Sequence, residues 1–467
     1  MDLKNAFNLL IIPNNVTNKA KFRDSALLTI RTISENLKQS NKNHFQQNKS
    51  KDEIIFKSHF EISFEQSVEF VYILASYCEP NDLWWWTNKD ISVAAQACLF
   101  YLSVSTGHTK HSDYNFLASR LPPIVEKFIK PAFKLSLSQN NNQRNILKEM
   151  EKLKISEEYS DTQLWKSQNK QCVPTFSWII KNINSLDLDQ QLFIILPAIT
   201  NMVDDYDIMY KLVGIELVNI IIQKVPTSKL EKTGIIQLFS QSIENLLVLR
   251  KEKAGEKLLV AGMKTFAEIV KKRYKTNSPQ YLENLWKLVS IGIVKNFVYC
   301  GGNFIIQKEI FDQVIWISEL LGVCMVRYMT PVLKEILDVC ELECLVGVYS
   351  KSIIDLQISA VQALLHLTKV CKQRIYIHLE DVLAALIFCW DSITNKETND
   401  FDIIFGGKVQ KVKEREECQE KIKILKQEIL NVMFQIMSTH NKEVTEFIEN
   451  IALESPNSVV GLVKVLL

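Results

Sequence analysis

Apolar residues recur at steps of three and four along most of this chain, and the stretch from 193 to 239 shows the pattern at its clearest. Ile194, Ile195, Ile199, Met202 and Val203 give one helix an apolar face. Asp204 and Asp205 then end that helix and cap the next, since a carboxylate accepts the unpaired amide hydrogens of a helix start. The following helix, 206–225, is apolar around most of its circumference; its polar stripe is Glu216, Asn219 and Gln223. A helix of that kind must be covered on more than one side, by its partner and by the next pair along. The pattern predicts an all-α fold, an α-solenoid of HEAT/armadillo-like repeats.

The same periodicity predicts helices over 22–37, 68–77 and 90–101, with a polar loop over 39–52. Pro122-Pro123 should open another helix, and Pro131 should interrupt it or restart it. Residues 1–137 then form an N-terminal helical region, 138–173 a polar linker or insertion containing a short exposed helix near 146–153, and 174–467 a helical-repeat region. Within the last region, helices are expected at 175–183, 190–203, 208–225, 229–249, 254–272, 279–297, 307–325, 331–348, 354–370, 379–390 and 414–439. A charged, mobile insertion is expected near 394–417. Helix pairs return at the spacing of about 40 residues typical of HEAT units, although no two units match letter for letter.

Composition narrows the class. Only 13 glycines and 11 prolines occur in 467 residues, too few for the turns of a β-sandwich or an α/β enzyme. The 55 basic and 53 acidic residues leave a net charge of +2, which gives no general electrostatic case for nucleic acid. The ten cysteines are scattered without a CxxC pair, and no secretory signal opens the chain, so buried free thiols in a reducing compartment are expected. Apolar windows are broken by Glu216, Lys287, Lys295 or Glu319, short of the roughly 18 clean residues of a spanning helix. No membrane association is expected.

Candidate chemistry is sparse. Asp205 and Lys211 have the spacing of the turn acid and helix base that bridge adjacent HEAT layers; a helix cap beside an exposed lysine is the alternative. Gly214, inside a helix, costs about 1 kcal/mol relative to alanine, which close helix–helix approach would offset. Trp84, Trp85 and Trp86 cannot all face one side of a helix, so one or two should lie at a surface, as a partner contact or as the end of a core. Cys98, His108 and His111 have loose metal-ligand spacing without a fourth ligand, and Cys340 and Cys344 lie one turn apart without a histidine. No metal or cofactor is therefore expected. Gly406-Gly407-Lys408 lacks the rest of a phosphate loop, and no Gly-x-Ser-x-Gly elbow occurs. With seven histidines, none in an acid–base setting, no catalytic residue is assigned and an enzyme is not expected. The basic run Lys408, Lys411, Lys413, Arg415 alternates with Glu414, Glu416 and Glu417 and reads as a solvated helix start.

Several of these residues together resemble the Tel-two-interacting protein two family, the small subunit of the TTT cochaperone complex. They are Leu196-Pro197, Asp204-Asp205-Tyr206, Lys211-Leu212 with Gly214, and Val225-Pro226 before Leu230. Phe176-Ser177-Trp178 upstream and Gly322, Val326, Arg327, Tyr328 and Leu333 downstream continue the likeness, which covers about 175–390, with Trp86-Thr87 a single echo earlier. The resemblance implies a non-catalytic helical scaffold; cytoplasmic residence is expected, with nuclear residence left open because the sequence carries no clear basic import signal. Its partners would be the large HEAT-repeat TTT subunit and the Tel-two subunit. Through them it would work with R2TP and the ninety-kilodalton heat-shock chaperone on phosphatidylinositol-3-kinase-related kinases. A HEAT/armadillo adaptor of a transport, chromosome or phosphatase assembly is the alternative. For partner contact the candidates are Trp84, Trp85, Trp86, Asp204, Asp205, Tyr206 and Asp207; Lys211, Gly214 and Pro226 are assigned structural roles.

Overall fold

Helix after helix starts on a side chain that accepts a backbone N–H. Ser63 and Gln66 form a reciprocal capping box, Asn184 and Asn303 accept amides of the turns they open, and Ser278 does so ahead of Pro279. These punctuated segments build an all-α fold, without a strand among the described residues. The computed structural model describes residues 8–13, 16–47, 62–81, 83–105, 116–133, 164–248, 254–342, 350–399 and 409–454. The chain divides into two compact units, Met1–Ser242 and Ile243–Leu467.

In the first unit, helix α1 (Lys19–Gln47) packs on α3 (Lys89–Ser105), and α2 (Phe64–Ala75) packs on α3 and on a later helix, Cys172–Asn182. Helix α1 runs on to Gln47, through part of the expected loop. Pro122 and Pro123 do not open a helix: they sit inside α4 (Phe116–Ile124). Next come a wide turn, Val125–Ile129, and α5 (Lys130–Phe133), with no break at Pro131. The Lys130 N–H bonds to the Val125 carbonyl, five residues back, and this wider winding passes a helix through residues that donate nothing. Beyond α6 (Leu164–Ser167) and α7 (Cys172–Asn182), α8 (Ser185–Val203) pairs with α9 (Ile208–Lys224). Glu216 and Gln223 are exposed as expected, but Asn219 is half-buried with its Oδ1 enclosed, while Leu217, Val218, Ile221 and Ile222 are buried.

The expected boundary at 138–173 lies outside the described residues up to 163; its described end is built into this unit. Gln171 Nε2 donates to the Leu10 carbonyl at 3.0 Å and to Ser76 Oγ at 3.1 Å, and Thr175 Oγ1 donates to the Tyr72 carbonyl at 2.5 Å. The expected helix over 229–249 is two, α10 (Thr227–Lys232) and α11 (Ile235–Glu244), broken where Gly234 takes φ 73°.

In the second unit, α12 (Gly255–Arg273) packs on α13 (Pro279–Val289), which passes through a wide turn, Ser290–Val294, into α14 (Lys295–Tyr299). Then follow α15 (Phe304–Leu321), α16 (Val326–Cys340), α17 (Ser350–Val370), the short α18 (Lys372–Ile375), α19 (Leu379–Asn399) and α20 (Val409–Glu454). Helix α17 lies against both α15 and α20. Its segment Ser352–Val370 is long and apolar enough to cross a membrane, which the sequence reading missed; 61% of that window is buried, and its Asp355 pairs with Lys421. It is a core helix. The charged stretch 394–417 is helical at both ends, α19 reaching Asn399 and α20 starting at Val409, and 400–408 lies outside the described residues. Helix α20 kinks at His440, where φ is −136° and ψ 46°.

Candidate functional site

The turn between α8 and α9 is held from inside. Asp204 closes α8, its N–H bonding to the Thr200 carbonyl at 2.9 Å. Asp205 turns inward: its buried carboxylate accepts the Asp207 N–H at 2.7 Å and pairs with Lys166 Nζ at 2.6 Å. The cap of α9 is Asp207, which accepts the Met209 N–H at 2.9 Å, and not Asp204 or Asp205 as the sequence reading had it. Chain geometry is the reason: Asp205 spends its acceptor on shaping the turn, so the residue two further on meets the helix start. Lys211 is buried and reaches back to the Val203 carbonyl at 3.2 Å, covering an open acceptor at the end of α8. Gly214 lets the two helices touch, since a Cβ there would stand 2.7 Å from the Val203 amide nitrogen. Pro226 takes φ −59° at the entry to α10, between buried Val225 and Leu230.

The three tryptophans lie in the turn joining α2 and α3 rather than on a helix. Trp84 and Trp86 are buried, their rings 5.4 Å apart, and Trp86 Nε1 donates to the Ser76 carbonyl at 3.1 Å. These two are core residues and offer a partner little surface. Trp85 is half-buried, 5.6 Å from Phe22 and under Lys19 Nζ at 5.5 Å.

The structure joins the tryptophan turn to the acidic turn through residues the sequence reading passed over. Trp84 lies 6.1 Å from Tyr210 in the first turn of α9, and Tyr210 meets Trp165 edge-on at 4.7 Å. Trp165 stacks on Phe133 at 4.8 Å. Lys166 sits 4.3 Å from the Tyr206 ring and 4.8 Å from Tyr210 while pairing with Asp205. Tyr206 is 61% exposed and forms the open edge of this aromatic cluster. The clue available beforehand was Trp165 itself, a large aromatic inside an otherwise polar stretch. Burial pushes the Tyr210 hydroxyl up to about 12, with Asp207 and Asp205 adding to the effect, so it stays protonated at neutral pH.

Burial raises the Cys98 thiol to about 12 and the Cys371 thiol to about 11, and lifts Cys78, Cys172 and Cys340 too, which leaves them as neutral packing groups. His108, His111 and Cys344 lie outside the described residues; among the described ones no group of three His, Cys, Asp or Glu side chains could hold a metal ion.

What the geometry presents is a helical-repeat protein whose best-organised surface is a rigid aromatic edge. A solved structure agrees on the fold. The chain aligns over 98% of its length with a chain of a Kap95p–RanGDP structure, at a TM-score of 0.52 and 13% identity, covering 45% of that chain. A second match is importin beta crystallised in ammonium sulfate: TM-score 0.48, 14% identity, 97% of this chain and 46% of that one. This chain thus spans less than half the length of those solenoids. At such identity the likeness concerns architecture alone, a HEAT-like helical solenoid.

The sequence model of the Tti2 family matches residues 70–341, more than half of the chain, and the chain belongs to that family. The match begins earlier than the likeness read from the sequence, taking in the tryptophan turn, and it ends at 341 instead of reaching 390.

Proposed function

We propose that this protein is the small, non-enzymatic scaffold subunit of a TTT cochaperone complex. In this reading it binds the large HEAT-repeat subunit and the Tel-two subunit. The assembly supports the maturation and stability of phosphatidylinositol-3-kinase-related kinases, with R2TP and the ninety-kilodalton heat-shock chaperone. Residence is cytoplasmic. The observation that carries the proposal is family membership over residues 70–341. The site adds a physical rationale: a stacked helical body can hold a partner over a broad area without chemistry of its own. Tyr206, with Trp85 as the other open ring of the cluster, is the contact we assign to a partner; Trp84, Trp86, Asp205 and Asp207 hold it in place.

The test is affinity purification of the tagged protein from its native cells, with mass spectrometry of what co-elutes, for wild type and Tyr206→Ala. Near-stoichiometric recovery of both TTT subunits, reduced in the variant at unchanged helix content, is the expected result. Recovery of a transport, chromosome or phosphatase assembly in their place would transfer the function to that assembly. Asp207→Ala is a poor probe, because it removes a helix cap worth about 1 kcal/mol along with any contact.

A further inference from the structure

We propose that the second unit carries a docking groove for a basic segment of a partner protein, one with a bulky apolar residue between lysines or arginines. The groove lies between the start of α19 and the end of α20, a concavity of about 570 Å³. Its residues, 376–450, fall outside the 70–341 matched by the family, so it does not rest on the reading above.

The kink at His440 makes the groove. The His440 ring faces Tyr376 at 5.3 Å and its Nε2 lies 3.3 Å from the Lys372 carbonyl, pinning the bend to the corner before α19. Past the bend, Val444 and Ile448 are fully buried, which anchors the last limb of α20 on the core. The limb's next face, with Glu443, Glu446 and Phe447, is thereby turned toward Tyr376, Ile377, Glu380 and Asp381. Tyr376 and Ile377 stand 51% and 60% exposed on its wall. Such exposure of a large ring and an aliphatic chain at a rigid corner costs hydration until something covers it.

Charge decides what covers it. Glu380, Asp381, Glu443 and Glu446 all line the groove, and no lysine or arginine does. The chain as a whole has nearly equal numbers of acids and bases. Among the described residues, none of these four carboxylates is in an ion pair, although lysines elsewhere in the protein pair freely. They do not converge on one point as a metal site would. Separated carboxylates around an apolar wall match positive charges spaced along a peptide with an apolar anchor between them. An anionic membrane surface or a nucleic acid would be repelled.

The experiment uses the full chain and two fluorescein-labelled peptides, one alternating lysine with leucine and one of lysine alone, read by anisotropy. The lysine–leucine peptide should bind wild type at least tenfold tighter than oligolysine does. Glu443→Gln with Glu446→Gln should weaken it tenfold or more, and Tyr376→Ala with Ile377→Ala should remove the preference for leucine. All four positions are exposed, so the fold is kept, and circular dichroism checks this. Equal binding of both peptides, or binding that survives both double variants, would overturn the proposal, as would lack of binding by wild type.

Discussion

Replacing Gly214 by alanine sets two effects of known size against each other. Alanine in a helix interior is worth about 1 kcal/mol over glycine. The added methyl, however, would lie 2.7 Å from the Val203 amide nitrogen, 2.9 Å from its Cγ2 and 3.0 Å from the Met202 carbonyl carbon, where ordinary contact begins at 3.4 Å. Two of those three atoms are backbone, so no rotamer change relieves the clash and α9 must move away from α8. Overpacking costs about 1–3 kcal/mol, and a backbone obstacle places this case at the top of that range. The net expectation is a loss of about 2 kcal/mol, or about 4–8 °C for a unit of this size.

Gly262 in α12 supplies the internal control. A methyl there would stand 3.6 Å from Leu246 Cβ and 3.7 Å from its carbonyl oxygen, both comfortable. Gly262→Ala should therefore stabilise the protein by about 1 kcal/mol. Urea unfolding followed by circular dichroism, with calorimetry to separate transitions, reads both. A Gly214→Ala protein as stable as wild type would refute the reading that glycine is there to let two helices touch.

Three further outcomes are expected. Lys224 Nζ donates to the carbonyls of Ile180, Lys181 and Ile183 at 3.3, 2.6 and 2.8 Å, closing the end of α7; Lys224→Met should cost about 2 kcal/mol in urea unfolding, and an unchanged midpoint would show that water replaces the lysine. Asp205→Asn keeps an acceptor for the Asp207 N–H but strands Lys166, so a loss of about 3 kcal/mol is expected, with Asp205→Ala worse; equal losses would assign the whole effect to the turn. Burial holds His366 below its usual 6.5 despite Glu319 at 3.1 Å, so the folded state binds its proton less readily than the unfolded chain. Its contribution is present above pH 6.5 and lost as pH falls. Between about pH 7 and about pH 5, wild type should lose stability relative to His366→Gln, and a relative gain would mean that the glutamate outweighs burial.

The helices were legible because a period of 3.6 residues is a local property. The helix expected at 208–225 is Ile208–Lys224, the one at 254–272 is Gly255–Arg273, and of the expected polar stripe of α9 Glu216 and Gln223 are exposed while Asn219 is half-buried. Gly214 could be read as a contact because a glycine inside a strong helix needs a reason. Proline misled, since its local tendency to start or stop a helix is overridden when a wide turn absorbs the missing donors, as in Val125–Ile129. The cap of α9 was misplaced by two or three residues because the three candidates, Asp204, Asp205 and Asp207, differ only in what their neighbours in space demand.

Taken by itself, then, the chain determined its secondary structure, its helical-repeat class and its family likeness, all of which follow from residue identity at short spacing. Tertiary structure alone decided that Trp84 and Trp86 are core while Trp85 and Tyr206 reach the surface. It alone brought Lys166 across to Asp205, and it bent α20 at His440 to open an acidic groove. Each of those outcomes joins residues tens of positions apart, and such pairing is set by which faces find each other in three dimensions, about which the spacing of neighbours along a helix is silent.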